Sequence, residues 1–358
     1  MEGEILYKMK NTSLNKMAWS KLQKNRMSIY SLYFLIICFL IGLFAVQISP
    51  DKTRMANQMY VELTTLKPLT NITFLEIPKL DFKEVSFIEG IFLGRPSNKK
   101  RIPISSFTKQ GDSILYLPYQ SDLVLTYFGD YKIINQRFLF GTDKYGRDLL
   151  SRIIYGIRIS FSVGFIAVFI SLIIGISLGL IAGYYRGVID DIVMWLVNVI
   201  WSIPTLLMVI AITLALGKGF WQVFVAIGLT MWVEVARIVR GQVLSIRELE
   251  YIEAGKVLAY KPSRIIIKHI MPNIIGPVIV ISAANFAAAI LIEAGLSFLG
   301  IGTQPPMPSW GGMIKDHYTY IIMDKSYLAI IPGIAIMFLV MAFMLLGNGL
   351  RDAFDVKD

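Results

Sequence analysis

Six stretches of the chain are long and apolar enough to cross a membrane as helices, since a helix needs about 20 apolar residues to span about 30 Å of hydrocarbon. Four of these stretches contain no Asp, Glu, Lys or Arg: 27–50, 159–185, 192–217 and 326–350. The other two are 219–236, which contains one acid, and 273–292. Because a spanning segment must satisfy its own backbone hydrogen bonds, the pattern predicts an all-α polytopic membrane protein with six transmembrane helices.

The segment between the first and second spans has a different pattern. Gly and Pro alternate there with short strand-like runs such as 113–118, which predicts a small folded insert. At its end, within 147–158, apolar residues recur at helical spacing with arginines on the other side: Leu149, Leu150, Ile153, Ile154 and Ile157. This spacing predicts an interfacial helix that lies on the membrane surface and then turns into the second span.

Composition and charge agree with a membrane protein. The 358 residues are 55% hydrophobic and 17% charged, whereas soluble domains are about 45 to 50% apolar and about 25% charged, which argues against a soluble two-domain enzyme. With a cytoplasmic N-terminus, the inner segments and short inner loops hold sixteen Lys and Arg and the short outer loops hold three. Since basic residues concentrate on the cytoplasmic side, both termini are predicted to be cytoplasmic and the insert external.

Sites for metals and nucleotides have little support. The single cysteine, Cys38, allows neither an intrachain disulfide nor a cysteine-based metal site. The two histidines, His269 and His317, fall in loops on opposite sides of the predicted membrane. Residues 141–148 have the glycine spacing of a phosphate loop without its Lys-Ser/Thr pair, so we interpret them as a turn. The residues therefore predict no cofactor, no metal and no nucleotide site.

Two further functional classes are disfavoured. Ser297 has the glycine-rich setting of an intramembrane serine hydrolase, but no predicted span carries a histidine to act as its base, so small residues for helix packing are the better interpretation. An ion-coupled carrier needs buried ionisable groups. The acids in or beside spans are Glu234 and Glu293, and Glu234 is predicted to pair with Arg237 one helical turn away. The energy for any transport is therefore expected to come from another protein.

The inner loop between the fourth and fifth spans, residues 241–272, predicts two short helices that form an elbow. The first begins near Glu250, where an acid interacts favourably with the helix dipole. Pro262 suits the first turn of the second helix, and it disfavours helical geometry in the residue before it, so the helices meet at an angle near Tyr260. Small side chains occupy this corner at Ala254, Gly255 and Ala259. Such a compact basic elbow is suited to binding by another protein.

The elbow resembles the EAA signature of permease subunits of ABC importers, in which this loop forms the coupling helix seated in a groove of the ATPase. Six residues carry the resemblance and are assigned by it to ATPase coupling: Glu253, Ala254, Gly255, Ala259, His269 and Pro272. Ala259 stands where the signature has glycine. An alanine is strained there if the position needs a positive φ, and it suffices if the position only needs to be small.

Other motifs resemble the C-type permease subunit of oligopeptide, dipeptide and nickel importers, in the branch with a large external loop. They lie at 141–148, 182–184, Trp232 with 236–237, 296–300, 308–311 and 351–352. The resemblance implies a type I ABC importer permease fold in the cytoplasmic (inner) membrane of a bacterium, in contact with membrane lipid. The implied partners are a second permease subunit, two cytoplasmic ATP-binding subunits and an extracytoplasmic peptide-binding protein, with no nucleic acid.

The sequence therefore predicts a permease subunit of an ATP-driven importer, not an enzyme, that forms the translocation path for peptides with a second permease chain. Uptake of a nickel chelate or a peptide antibiotic, and a self-sufficient secondary carrier, stay open as alternatives. Pro204 is a candidate hinge or a fixed kink, and Asn198 either faces the path or bonds to another helix. The predicted divisions are 1–27 (cytoplasmic), 28–50 (first span), 51–158 (insert and interfacial helix), 159–350 (five-helix core with coupling loop 241–272) and 351–358 (cytoplasmic tail).

Overall fold

The computed structural model describes residues 14–79, 86, 90, 94–111, 113–217 and 219–354. The helices of the described chain are α1 (Leu14–Lys24), α2 (Arg26–Leu43), α3 (Ala45–Ile48), α4 (Leu149–Tyr185), α5 (Gly187–Trp201), α6 (Thr205–Leu216), α7 (Phe220–Arg247), α8 (Glu250–Val257), α9 (Pro262–Ile265), α10 (Met271–Phe298), α11 (Trp310–His317) and α12 (Tyr327–Phe354). A π-helical turn, Ile266–Ile270, joins α9 to α10 without a break.

Long apolar helices dominate the described part of the chain. Five helical stretches there are long and apolar enough to cross a membrane: α2, α4, α7, the continuous stretch from α9 to α10, and α12. The pair of α5 and α6 makes a sixth if it is counted as one bent span. The predicted polytopic helical class is therefore confirmed, with a strand-rich insert added to it.

The third predicted span differs from the expectation of one helix with a proline inside it. Helix α5 ends at Trp201, α6 begins at Thr205, and the two are bent by 91°. Pro204 has φ −54° and ψ 124°, so it precedes α6 in an extended conformation. Proline lacks an N–H and disfavours helical geometry in the residue before it, which explains why the chain leaves the helix at this point.

The predicted interfacial helix at 147–158 is wrong. Helix α4 runs without interruption for 37 residues, and its first turns are buried instead of lying on a surface. Leu149 and Ile153 pack with Cys38 of α2 and Trp310 of α11 in one apolar cluster. The apolar stripe was recognised correctly, but it faces protein, and no helix-breaking residue separates it from the second span. At about 1.5 Å per residue the helix is roughly 55 Å long and extends well beyond a hydrocarbon layer.

The described residues of the insert form an antiparallel sheet of five strands. The strands are β1 (Thr70–Pro78), β2 (Lys99–Gln110), β3 (Ser113–Pro118), β4 (Leu125–Phe128) and β5 (Lys132–Phe138), in the order β4-β3-β2-β1-β5. Successive side chains of a strand point to opposite faces. Phe74 accordingly packs with Phe138 and Tyr60 on one face, and Leu75 packs with Ile104 on the other. The strand predicted at 113–118 is confirmed.

The insert and the ends of the described chain lie at opposite ends of the helical bundle, and α12 connects them. At the start of α12, the Tyr327 hydroxyl donates to the Leu66 carbonyl at 2.7 Å, and just before it Lys325 Nζ donates to Thr65 Oγ1 at 2.6 Å. At the far end of α12, Ala353 packs with Leu22 of α1. The N- and C-terminal helices therefore share one end of the bundle. Residues 1–13 and 355–358 of the predicted cytoplasmic segments lie outside the described residues.

Small residues bring α4 and α7 into close contact. Between residues 175 and 183 every fourth residue of α4 is glycine, namely Gly175, Gly179 and Gly183. A Cβ at Gly179 would lie 2.7 Å from the Ala236 carbonyl oxygen and 2.8 Å from Val239 Cβ. Since apolar side chains gain little from leaving lipid, close packing of small residues is what holds membrane helices together. The glycine row therefore sets the register of α7, which supports the elbow.

Candidate functional site

The first helix of the elbow, α8, ends in a Schellman motif. The N–H of Tyr260 donates to the Gly255 carbonyl at 3.0 Å, and the N–H of Ala259 donates to the Lys256 carbonyl at 2.9 Å. Ala259 has φ 53°, in the left-handed region. The position therefore needs a positive φ, and alanine is strained where glycine would not be.

The second helix of the elbow begins at Pro262, as predicted. Lys261 is extended, with φ −58° and ψ 141°, and Pro262 occupies the first turn of α9. The structure adds that this helix is the start of the fifth span, since it continues through the π-helical turn into α10. In that turn the Met271 N–H donates to the Ile266 carbonyl, directly before Pro272, which has no N–H. A proline next to a π turn is a recognised way for a helix to adjust its hydrogen bonding.

The inner side of α8 is anchored to the spans. Ile252 is 1% exposed and packs in a cluster with Val243 of α7 and Ile274 of α10. Asn273 Nδ2 donates to the Tyr251 hydroxyl at 3.3 Å, which adds a polar link from α10 to α8. Burial of an isoleucine side chain contributes about 1.5 to 3 kcal/mol, so α8 is held firmly on this side.

Tyr260 fills the corner between the two short helices. The Arg264 guanidinium carbon lies 3.9 Å from the centre of the Tyr260 ring, a cation–π contact. The His269 ring is stacked on the same residue with an interplanar angle of 13° and centroids 6.2 Å apart. The structure therefore brings His269 to the elbow as a packing residue, together with Gly255, where an added Cβ would make ordinary contact with Tyr260 at 3.5 Å.

The outer side of α8 is apolar and uncovered. Val257 is 86% exposed and Leu258 is 64% exposed, although both are aliphatic. Ala254 and Ala259 are also exposed, and Glu253 lies beside them on the surface. Exposed apolar side chains with a charged border are typical of protein–protein interaction sites. The elbow therefore presents a fixed apolar tip that a partner protein can cover.

Two ion pairs connect the helices around the elbow. Arg186, directly after α4, donates to Glu248 Oε1 at 2.6 Å, immediately before α8. Arg240 of α7 binds both carboxylate oxygens of Asp190 in α5, at 2.5 and 2.6 Å. A bidentate arginine–carboxylate pair fixes orientation as well as distance. The first pair therefore joins the start of the elbow to the end of α4, and the second joins α7, which leads into the elbow, to α5.

Two family models match this chain. One, described as the binding-protein-dependent transport system inner membrane component, matches residues 175–357, which include the whole elbow. The other, described as the N-terminal TM domain of oligopeptide transport permease C, matches residues 13–68. The chain belongs to the family of binding-protein-dependent transport system inner membrane components. The predicted membrane permease class is thereby confirmed.

Curated relatives of this permease carry transport names. The dipeptide transport system permease protein DppC of Bacillus subtilis (strain 168) is 44% identical over 61% of this chain and 68% of its own length. The oligopeptide transport system permease protein OppC of Escherichia coli (strain K12) is 44% identical over 61% and 72%. The glutathione transport system permease protein GsiD of Pectobacterium atrosepticum is 38% identical over 67% and 80%. A solved structure of the inward-facing MetNI methionine ABC transporter covers 57% of this chain and 97% of its own, with 18% identity and a TM-score of 0.47.

The turn at 141–148, one of the motifs that resemble the C-type permease subunit, is a buried polar cluster of the permease. In the 141–148 turn, the Asp143 carboxylate accepts from the backbone N–H of Arg147 at 3.0 Å and from its Nε at 2.6 Å. The Thr142 hydroxyl donates to the Leu63 carbonyl and accepts from the Leu66 N–H. The turn therefore joins the insert to the start of α4. Its partners lie some 80 residues earlier, so no local sequence signal identified them.

His317 of α11 contacts this turn of the permease. The Lys144 N–H donates to His317 Nε2 at 3.3 Å, while His317 Nδ1 donates to the Met313 carbonyl at 2.7 Å. Burial lowers the pKa of His317, and this effect outweighs the nearby carboxylates of Asp143 and Asp316. A neutral imidazole with its proton on Nδ1 fits both hydrogen bonds. An uncharged histidine thus links the turn to α11, beside the ion pair of Lys144 Nζ with Asp316 Oδ1 at 3.1 Å.

At the bend of the permease, Asn198 makes a helix-to-helix hydrogen bond, the second of the two predicted alternatives. Its Oδ1 accepts from Arg237 Nη2 at 3.1 Å, and the Arg237 guanidinium carbon lies 3.6 Å from the centre of the Trp201 ring. The predicted pairing of Glu234 with Arg237 is wrong. Arg237 turns toward α5, where an amide and an indole are available, and Glu234 is left exposed on the surface.

Ser297 of the permease is buried in a hydroxyl and carboxyl network. Its Oγ donates to Glu293 Oε1 at 2.6 Å and accepts from the Thr303 N–H at 3.1 Å. The Thr303 hydroxyl also donates to Glu293 Oε1 at 3.1 Å. These bonds fasten the end of α10 to the loop before α11. Ser297 therefore has a structural role in which its hydroxyl is already engaged.

Proposed function

We propose that this permease is the membrane subunit of an ATP-driven importer of peptides, and that it forms the translocation path with a second permease chain. Relatives named for dipeptide, oligopeptide and glutathione transport support a cargo that contains peptide bonds. The elbow, whose apolar tip is exposed and whose base is buried, is the observation that carries the proposal. No covalent step is assigned to this chain.

In this proposal the elbow receives its energy from two ATP-binding subunits. The exposed side of α8, with Glu253, Ala254 and Leu258, sits in a groove of one ATP-binding subunit. When the two subunits close on ATP, they push α8, which transmits the movement through Ile252 to α7 and α10. The Arg186–Glu248 pair carries it to the end of α4. The spans then tilt and open the path to the outside, and ATP hydrolysis resets them.

The proposed orientation places the elbow in the cytoplasm and the insert outside. The excess of basic residues in the short loops at the elbow end supports this assignment. The end of α12 lies near the start of α10, directly after the elbow, since an added Cβ at Gly276 would lie 2.9 Å from Phe354 Cδ1. Helix α1 packs on the same end of α12, and the insert contacts the opposite end. An extracytoplasmic peptide-binding protein would then deliver its cargo on the insert side.

A cysteine at the tip of the elbow tests this function. The single native cysteine, Cys38, is buried, so Ala254→Cys in a Cys38→Ser background adds one exposed thiol. In the native assembly, a short bifunctional cross-linker is expected to join this thiol to the ATP-hydrolysing subunit. The measurement is mass spectrometry of the cross-linked band, with peptide uptake recorded in the same membranes.

The matched control is Asp122→Cys in the same background, since Asp122 is exposed on the insert. This thiol should never capture the ATP-hydrolysing subunit, and it should react with an impermeant maleimide added outside the cell. Capture of that subunit from position 122, or its absence from position 254 in an assembly that transports peptide, would contradict the proposal.

A further inference from the structure

Glu234 is an exposed acid on a span, and it has no partner in the described part of the chain. No hydrogen bond or ion pair joins its carboxylate to a described residue, and the side chain is exposed on α7. The nearest cation along the helix, Arg237, is held by Asn198 and stacked on Trp201. The carboxylate is therefore available to a group outside this chain.

Helix packing places this carboxylate at the depth of the hydrocarbon. The next residue, Val235, faces Gly175 of α4 so closely that an added Cβ would lie 2.5 Å from Val235 Cβ. Between Arg158 and Arg186 α4 carries no charge, and Gly175 is roughly 25 Å from the first and roughly 16 Å from the second along the helix. An acid in the middle of a lipid-facing helix costs at least about 2.5 to 3.5 kcal/mol. Glu234 is therefore expected to face something other than lipid.

The bend between α5 and α6 supports the same conclusion. Its non-helical residues, Ser202 to Pro204, are exposed, as are the flanking residues from Trp201 to Leu207. Irregular backbone at membrane depth is tolerated only where it is buried in protein or lines water, because its N–H and C=O groups need partners. Asn198 and Trp201 at this bend contact Arg237, one helical turn from Glu234 on the same helix. The bend and Glu234 therefore belong to one surface that is shielded from lipid.

We propose that Glu234 is a cation-binding residue of the translocation path and receives the ammonium group of the peptide cargo. The proposal rests on the proposed function, since it assumes that peptides pass this surface. The α-amino group of a peptide has a pKa of about 7.7 to 8.0 and is mostly protonated at neutral pH. A carboxylate binds an ammonium group through short charge-assisted hydrogen bonds. Arg237 does not occupy the Glu234 carboxylate, because its guanidinium is held by Asn198 and Trp201.

The test compares two forms of one peptide in the reconstituted complex. Uptake of the free peptide and of its N-acetylated form is measured with the native permease and with Glu234→Gln, which keeps the shape of the side chain and removes its charge. The binding protein is the same in both complexes, so its own preference between the peptides cancels when the two permeases are compared. Loss of a charge-assisted contact should slow uptake of the free peptide by about 10- to 100-fold. Uptake of the acetylated peptide should change less than about twofold.

The matched control is Asp191→Asn, which removes one exposed acid near the start of α5 and should leave the ratio of the two uptake rates unchanged. Glu234→Asp should restore part of the preference for the free peptide if the charge is what matters. Equal slowing of both peptides by Glu234→Gln would show that the carboxylate does not recognise the peptide ammonium group and would overturn the proposal, as would no slowing of either. A native complex that imports no peptide would instead refute the proposed function, so the two failures are distinguishable.

Discussion

At the scale of single residues, Ala259 shows which backbone conformation its position in the EAA signature requires. Its φ of 53° allows the Tyr260 N–H to reach the Gly255 carbonyl and so ends α8 at the corner of the elbow. An alanine in this conformation costs about 1 to 2 kcal/mol relative to its ordinary region. Glycine has no such cost, which accounts physically for a glycine at this position in the family signature.

Ala259→Gly should therefore stabilise the elbow. Glycine relieves the strain but loses more chain entropy on folding, so the expected net gain is about 0.5 to 1 kcal/mol. Hydrogen exchange of the Ala259 and Tyr260 amides should slow by roughly two- to fivefold, because tenfold corresponds to about 1.4 kcal/mol.

The control is Ala254→Gly, which lies in the interior of the same helix and should speed exchange, since glycine costs about 1 kcal/mol there. If both substitutions speed hydrogen exchange equally, position 259 does not require a positive φ. The sequence left open whether position 259 needs a positive φ or only a small side chain, because φ depends on how the chain turns after α8.

At the scale of elements, the glycine row of α4 decides how the spans pack. Every fourth residue of α4 from 175 to 183 is glycine, and each one faces the backbone or a valine of α7. Such a surface allows two membrane helices to approach closely. Because α8 directly follows α7, this contact also sets where the elbow lies.

Gly179→Ala should separate α4 from α7. Its Cβ would lie 2.7 Å from the Ala236 carbonyl oxygen, and backbone cannot move aside as a flexible side chain can. Overpacking of this kind costs about 1 to 3 kcal/mol. The expected result is a lower unfolding temperature of the purified complex in detergent, measured by intrinsic fluorescence.

Gly241→Ala is the matched control, because nothing lies within 4 Å of the added Cβ and alanine favours a helix more than glycine does. It should leave the unfolding temperature unchanged or raise it. A Gly179→Ala complex as stable as the native one would mean that α4 and α7 are not in the contact described here.

At the scale of the whole molecule, His317 supplies a pH-sensitive contact among those that join the insert to the helices. His317 accepts the Lys144 N–H on Nε2, and only the neutral ring can do so. Burial holds the pKa of His317 below the ordinary value of about 6.5. Its contribution to stability is therefore complete above about pH 6.5 and is lost as the pH falls from there through the lower pKa of the folded state.

Acidification from pH 7.5 to pH 5 should therefore loosen the contact between the insert and α11. Hydrogen exchange at the Lys144 amide, corrected for the intrinsic effect of pH, should lose protection over this range. His317→Gln, which cannot titrate, should flatten the pH dependence, whereas His269→Gln should leave it as in the native chain. A native profile that is flat over this range, or one that His269→Gln abolishes, would contradict this role of His317.

Local patterns predicted much of the fold. The charge-free stretches, the strand at 113–118 and the helix start at Pro262 follow from periodicity and from the missing N–H of proline. The coupling residues of the elbow were predicted by resemblance to the EAA signature, which could be recognised because it lies within one continuous loop. The same reasoning recognised the apolar stripe at 149–157 but assigned it to a membrane surface, because spacing shows that a face is apolar and not what covers it.

The sequence by itself determined which segments enter the membrane, where the elbow turns and which family the chain resembles, because these depend on neighbouring residues. Only the tertiary structure decided the 91° bend before α6, the partners of Arg237 and the closure of the 141–148 turn on Leu63. The last two depend on residues 39 and 79 positions apart, whose meeting is set by the packing of whole helices and the sheet. The bend starts from Pro204, but a proline signals only that a helix is interrupted and leaves the angle to the packing around it.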